Sequence, residues 1–344
     1  MAPTNIQDVA NAARVSKSTV SRVLSGNYEY MREETRLRVE QAIQELNFRP
    51  SSVARSMTSR RTHTAAMLIS DVANPFYAEV IHGVEAQAFK NGYDIFLCNT
   101  NYDVERGLAL IRSLIDKRVD GVLVMSSSMS DEWLSELENN SVPVVALDWT
   151  VNLSGKNINT IQVEFSTGIN AAVNHLVNLG HKNFAHISGP LNLRTSQTRR
   201  DNFFQALNNH NIPPESVIVV EGNLEMGGGR QAALQLLNLP KMPTAIFAAN
   251  DLTAIGAINE LRSRGIRIPE DISIVGLDDI WLARETDPPL TTVALPSREI
   301  GDMAMALLLK SLESNENGNG FVQTAEVVQT SLVIRRSTAS PSRA

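Results

Sequence analysis

The chain runs to 344 residues, 43% of them hydrophobic, with 31 Lys and Arg against 37 Asp and Glu and a formal net charge of -6. Such a length and apolar content require more than one core and exclude a disordered or fibrous chain. A single cysteine, Cys98, excludes an intramolecular disulfide framework or a cysteine zinc site and fits a reducing compartment. The first 25 residues are polar and charged, and no apolar run approaches the roughly 18 residues of a membrane span, so a cytoplasmic protein without a membrane partner is expected. The charge is uneven: residues 1 to 61 hold ten of the cations and six of the anions, net +4, and the remainder is net -10. A basic head on an acidic body confines phosphate contacts to the head.

In chain order, Ile6, Val9, Ala10 and Ala13 fall at i, i+3, i+4 and i+7 and predict a short helix, with Thr4 and Gln7 as its capping box. After the turn Ala13-Arg-Val15, Ser16 can cap a second helix with Val20, Val23 and Leu24 inward and Lys17, Ser18, Ser21 and Arg22 outward, ending at Gly26-Asn27. A third helix spans about Glu33 to Leu46, with Val39, Ile43 and Leu46 on one face. Arg49-Pro50-Ser51-Ser52 breaks it and can cap a hinge helix, Val53 to Met57, before a polar basic linker, Thr58 to Thr64.

From Ala65 onward short apolar runs alternate with amphipathic stretches. The runs are Ala65 to Ser70, Ile95 to Asn99, Gly121 to Met125, Val142 to Leu147, Phe184 to Ser188, Val217 to Glu221, Ala245 to Ala249 and Ile272 to Gly276. Strands buried on both faces and separated by helices predict a doubly wound parallel sheet, and about eight of them exceed one compact half. The expected class is therefore α/β: a three-helix helix-turn-helix head (1–49), a hinge and linker (50–63), and a body (64–336) of two lobes. The lobes are expected from 64–160 plus 293–323 and from 161–292 plus 324–336, with a disordered tail at 337–344.

A helix that reads DNA needs short polar side chains and cations on its outward face, which Lys17, Ser18 and Arg22 supply at i, i+1 and i+5. Residue types alone fit a solvated helix face equally well. Four segments, however, resemble in register the head and hinge of the lactose/galactose repressor (LacI/GalR) family. They are Thr4-Asn-Ile-Gln-Asp-Val-Ala10, Val15-Ser-Lys-Ser-Thr-Val-Ser-Arg-Val23, Glu34-Thr-Arg-Leu-Arg-Val39, and Glu45-Leu-Asn-Phe-Arg-Pro50 followed by Ala54-Arg-Ser-Met57. The resemblance implies that Lys17, Ser18 and Arg22 read major-groove bases, while Thr4, Ser16, Thr19 and Ser21 hold phosphates or the helix end. It further implies that the hinge, with Ser52 and Ala54, folds on the operator and wedges Met57 into the minor groove, where leucine is commoner in the family. Arg14 stands where the family usually has glycine. Two heads on a twofold dimer imply a pseudo-palindromic double-stranded operator with half-site centres about 10 bp apart.

The body resembles the family's regulatory domain, itself similar to periplasmic sugar-binding proteins, through Asn74-Pro-Phe-Tyr77, Lys117-Arg-Val-Asp-Gly-Val122, Ser188-Gly-Pro190, Ala249-Asn-Asp251, Pro269 to Gly276 and Pro289-Leu-Thr-Thr292. Ligands of such folds sit at strand ends in the inter-lobe cleft. The expected effector contacts are Asn74, Phe76, Tyr77, Asp148, Trp149, Arg199, Asn250 and Asp278. Each taken singly also fits a cap, a packing residue or a surface charge. The ribose/purine branch is most similar, and a sugar, a pentose above all, is the expected effector. Leu295 replaces a glutamine that often reaches the sugar, Val163-Glu164 an Asp-Asn pair, and Asn202 a glycine. Leu193 stands where the purine-binding member has an arginine, so a purine co-repressor is less expected than a sugar.

No enzyme is expected. The His show no metal spacing, residues 225 to 230 lack the end of a phosphate loop, and no Gly-x-Ser-x-Gly elbow occurs, so neither cofactor nor metal is implied. A co-repressor-dependent repressor or an activator of the same family remains open, and a free sugar-binding protein would lack the basic head. A homodimer is expected, with Phe76 to Phe89 and Val104 to Leu114 near its interface; the end of the chain has no apolar heptad for a tetramer.

Overall fold

The computed structural model describes residues 4–48, 61–147, 158–316 and 323–342. The chain divides into two units, Met1–His63 and Thr64–Ala344. In the first, α1 (Ile6–Ala13), α2 (Lys17–Leu24) and α3 (Glu33–Glu45) close on a small core of Val9, Ala10, Ala13, Val20, Val23, Val39, Ala42 and Phe48. The capping box falls one residue later than expected. Asn5 accepts from the Gln7 and Asp8 amides and Asp8 accepts from the Asn5 amide at 2.9 Å, while Thr4 Oγ1 instead donates to the Leu46 carbonyl at 3.3 Å. Asn is as good a cap as Thr, and the β-region backbone of Asn5 decides between them. Ser16 caps α2 as expected, accepting from the Thr19 amide at 3.2 Å. The hinge helix expected at 53–57 lies outside the described residues.

The second unit holds, among the described residues, two six-stranded sheets. The first has the order β11-β5-β4-β3-β1-β2, built from β1 (Thr64–Ile69), β2 (Asp94–Asn99), β3 (Gly121–Met125), β4 (Val144–Leu147), β5 (Ile158–Glu164) and β11 (Ala325–Gln329), all parallel. The second, β12-β10-β9-β8-β6-β7, contains β6 (Phe184–Ser188), β7 (Ile218–Glu221), β8 (Ala245–Ala248), β9 (Ser273–Asp278), β10 (Thr291–Ala294) and β12 (Ser331–Val333). Only the β10–β12 pairing is antiparallel.

Helices cover both sheets: α4 (Pro75–Lys90), α5 (Val104–Asp116), α6 (Asp131–Asn139) and α12 (Ser297–Glu316) with the first, α7 (Phe165–Asn178), α8 (Arg194–Asn208), α9 (Met226–Leu237), α10 (Asp251–Ser263) and the single turn α11 (Leu282–Glu285) with the second. Gly83 of α4 and Gly301 of α12 let these two helices touch backbone to backbone, since a Cβ at either would strike the other helix's main chain.

All eight expected strands form, but the lobe boundaries differ from expectation. Strand β5 stays in the first sheet to Glu164 and β10 in the second to Ala294; Ala325–Gln329 joins the first sheet beside β5, and only Ser331–Val333 joins the second. Thr330 marks this third crossing and ties it to the first: its Oγ1 donates to the Glu164 carbonyl at 2.9 Å and accepts from the Gly168 amide at 3.0 Å. Nor is the tail disordered through 342. The buried Ser337 donates to the Ile274 carbonyl at 2.6 Å and accepts from the Thr291 amide at 2.8 Å, and the Ala339 amide donates to Ser273 Oγ at 3.0 Å. A polar, Pro-containing composition reads as loose, yet backbone pairing to β9 satisfies it.

Candidate functional site

On the head, Ser16, Lys17, Ser18 and Ser21 are exposed, and Thr4, Thr19 and Arg22 are half-buried. Ser16 Oγ lies 2.7 Å from Ser18 Oγ and 2.9 Å from Thr19 Oγ1, so three hydroxyls gather at the N-terminus of α2, beside the exposed Lys17. Unsatisfied amides and the helix dipole make that end attractive to phosphate. One turn on, the Arg22 guanidinium donates to the Glu29 carbonyl. Arg14 takes a left-handed conformation, φ 53° and ψ 48°, which a glycine would adopt without strain. Ser52, Ala54 and Met57 lie outside the described residues.

In the body, six of the eight expected effector residues, Asn74, Phe76, Tyr77, Arg199, Asn250 and Asp278, line one solvent-open cleft between the C-terminal ends of the two sheets. Asp148 and Trp149 lie outside the described residues. The local reasons are the ends of elements. Asn74 caps α4 by accepting from the Phe76 amide at 3.0 Å, and the Phe76 and Tyr77 rings meet edge to face at 5.2 Å. Asn250 caps α10, accepting from the Thr253 amide at 2.9 Å and donating to the Leu224 carbonyl at 2.8 Å. Asp278 ends β9 with φ 121°, followed by Asp279 at φ 55°, two strained residues in succession at a strand end that faces the cavity. Arg199 donates to the Ala249 carbonyl at 2.7 Å and to Asp278 Oδ1 at 3.1 Å, and stands 5.3 Å above the Phe165 ring.

Residues 5–51 match the model for bacterial regulatory proteins of the lacI family, and residues 173–338 match a periplasmic binding protein-like domain. The transcriptional repressor PurR of Aliivibrio fischeri is 38% identical over 335 residues, covering 96% of this chain and 98% of that protein. The chain belongs to the LacI family of DNA-binding transcriptional repressors. Two solved relatives extend the likeness to the fold. The lac repressor dimer bound to operator and the anti-inducer ONPF has a TM-score of 0.86 at 28% identity, covering 98% of this chain and 99% of that one. A LacI-family regulator of Enterococcus faecium with bound ribose has 0.71 at 29% identity, covering 80% and 99%.

The electrostatics of this repressor's cleft follow from burial. Asp278 is pushed up to about 6 by desolvation, tempered by the Arg199 charge and hydrogen bond. Behind it the fully buried Asp251 is pushed up to about 7 by desolvation and then by Asp278, although Thr292 Oγ1 donates to it at 2.5 Å and the Ile280 amide at 2.9 Å. Burial raises the Tyr77 hydroxyl, offset by bonds to Ser70 and Ser127, and raises the Tyr102 hydroxyl as well. Arg199 Nε is buried without a hydrogen-bond partner among the described residues.

Sequence reasoning missed Tyr102, Ser126, Ser127, Phe165, Thr195 and Leu224, which also line the cavity. Five of them follow a strand end within three residues: Tyr102 after β2, Ser126 and Ser127 after β3, Phe165 after β5, Leu224 after β7. Reading out every strand end, rather than the family motifs alone, would have found them. Leu295 lines the cavity too, whereas Leu193 is buried against Leu224 and Ala249. Among the described residues no helix is long and apolar enough to cross a membrane.

Proposed function

We propose that this chain represses transcription as a homodimer on a pseudo-palindromic operator, and that a small uncharged ring compound bound in the inter-lobe cleft sets its operator affinity. The observation that carries the effector reading is the buried Arg199–Asp278 pair, which sets a guanidinium and a carboxylate beside the Phe76, Tyr77 and Phe165 rings. A ring with hydrogen-bonding edges satisfies both without bringing a second buried charge. Because such a ligand touches both lobes, it favours whichever arrangement of the three crossings it fits, and operator affinity shifts by that difference.

In this reading Lys17, Ser18 and Arg22 read bases. Thr4, Ser16, Thr19 and Ser21 hold phosphate or the helix end, and Ser52, Ala54 and Met57 serve the hinge. The dimer is supported by apolar side chains exposed on one lobe, Phe89 of α4, Phe96 and Leu97 of the edge strand β2, and Val104 of α5, on the elements expected near the interface.

The PurR relatives favour a purine base as effector. A pentose is the second reading, supported by the ribose-bound Enterococcus faecium regulator and by Leu193, an apolar side chain at the position where the purine-binding member has an arginine. The experiment is selection of duplexes from a random pool by the purified protein, with and without purine bases and pentoses, followed by calorimetry. Enrichment of one pseudo-palindrome, altered by one compound class, is the expected result. No enrichment under any condition would remove the operator reading.

A further inference from the structure

Asp278 reaches the cleft on a backbone that does not hold itself. It takes φ 121° and Asp279 takes φ 55°, both outside the conformations that side-chain-bearing residues prefer, and such a pair persists only where its neighbours over-determine it. Resting on the cleft reading above, we infer that Asp279 and Arg335 are positioning residues of the effector site, an ion pair behind the cleft that holds the Asp278 carboxylate where the ligand meets it.

Neither Asp279 nor Arg335 lines the cleft. The Asp279 carboxylate pairs with the Arg335 guanidinium, and each side chain is only 13% exposed. Arg335 is itself anchored on the main chain around β10: Nη1 donates to the Leu290 carbonyl at 2.8 Å and its amide donates to Thr291 Oγ1 at 3.0 Å. From α10, Asp251 Oδ2 accepts from the Ile280 amide at 2.9 Å, so residues 278 to 280 are gripped both at the Asp279 side chain and at the backbone. A second cation, Arg284 of α11, stands 3.7 Å from Asp279 but is 66% exposed, and solvent screening leaves it little to contribute.

Glycine would take φ 55° at position 279 without strain. An aspartate there, with its carboxylate on Arg335, makes the conformation conditional on that contact. The pair also ties Asp278 to the chain that passes between the lobes. Arg335 follows the Thr330 crossing by one short strand, β12, which pairs antiparallel with β10. Leu295, where the chain leaves the second sheet, donates its amide to the Asp278 carbonyl at 3.5 Å. Asp278 is thus seated on two of the inter-lobe segments, and its place in the cleft depends on both.

The test is calorimetry on the full chain with adenine, guanine, D-ribose and D-xylose, followed by titration of variants with whichever binds the unaltered chain most tightly. Asp279→Ala removes the carboxylate but keeps a side chain at the left-handed position, and is expected to weaken binding at least about tenfold. Asp279→Gly removes the same carboxylate yet adopts that backbone freely, and is expected to stay within about threefold of the unaltered chain; a pair that only stabilised the fold would gain nothing from glycine. Arg335→Gln is expected to weaken binding at least about fivefold alone and by less than about twofold on top of Asp279→Gly, while Arg284→Ala stays within about twofold. Should Asp279→Ala melt early, the two Arg335→Gln comparisons decide. Equal losses in Asp279→Ala and Asp279→Gly, a full Arg335→Gln loss on top of Asp279→Gly, or unchanged binding in Asp279→Ala and Arg335→Gln overturns the inference and leaves the cleft reading standing. Failure of all four compounds to bind overturns the inference and the effector class together.

Discussion

The head and the cleft solve recognition in opposite ways. On the head, Ser16, Lys17, Ser18 and Ser21 stand in solvent around a core of eight side chains, seven of them Ala or Val, and what they can bind is set by residue type and helix position. In the cleft, Asn74, Arg199, Asn250 and Asp278 are all buried; Asn74 caps its own helix, and Arg199, Asn250 and Asp278 are each held by a hydrogen bond to a neighbouring element. The contrast teaches that an exposed reader of a large charged polymer needs little preorganisation, because the polymer supplies the field. A pocket for a small neutral molecule must carry its own.

Arg199→Ala breaks the comparison most severely. It leaves Asp278 buried without its cation, and the expected cost is about 3–5 kcal/mol of body stability with loss of effector response. Urea unfolding and calorimetry measure both, and a variant that loses the response at unchanged stability would place the pair outside the fold's support.

Arg22→Ala on the head should do the reverse. Operator affinity falls by about 1–3 kcal/mol while unfolding of the chain shifts by no more than about 0.5 kcal/mol. Equal weakening on specific and random duplexes would make Arg22 a phosphate contact instead of a base reader, a distinction that titrations at several salt concentrations also report.

Acidification separates the two regions by titration. Asp278, raised by burial to about 6, is ionised above that pH, so a ligand that pairs with its carboxylate is bound fully at higher pH and lost as pH falls through the window. Effector affinity measured from pH 7.5 to 5 should decline by up to about tenfold per unit below the midpoint, and the decline should persist in Asp251→Asn, since Asp251 titrates nearer 7. A flat profile would separate ligand binding from the Asp278 carboxylate.

The smallest change expected is a gain. Arg14→Gly relieves the left-handed turn between α1 and α2 and should stabilise the head by about 1 kcal/mol, read as slower amide exchange at Val9, Ala10 and Val20. No change in exchange would mean that the arginine side chain offsets the strain of its own backbone.

Much of this molecule is legible in the chain. The stripe Ile6, Val9, Ala10 and Ala13, the Ser16 cap and the eight apolar runs are local signals, because helix and strand periods are fixed by backbone geometry. Six cleft residues were legible through motifs at element ends. Thr195 was not, since nothing in its neighbourhood shows that α8 faces the opposite lobe.

The order of residues specifies a basic three-helix head, an alternating α/β body, and the chemistry of the residues expected to face DNA and ligand. Only the tertiary structure decided which sheet each short strand joins, so that Ala325–Gln329 and Ser331–Val333 part company at Thr330, and that Ser337 docks on β9. A strand of three to five residues carries no mark of its partner. Its backbone donors and acceptors are satisfied by whichever edge the rest of the fold brings alongside, and that choice is made by packing far away in the chain.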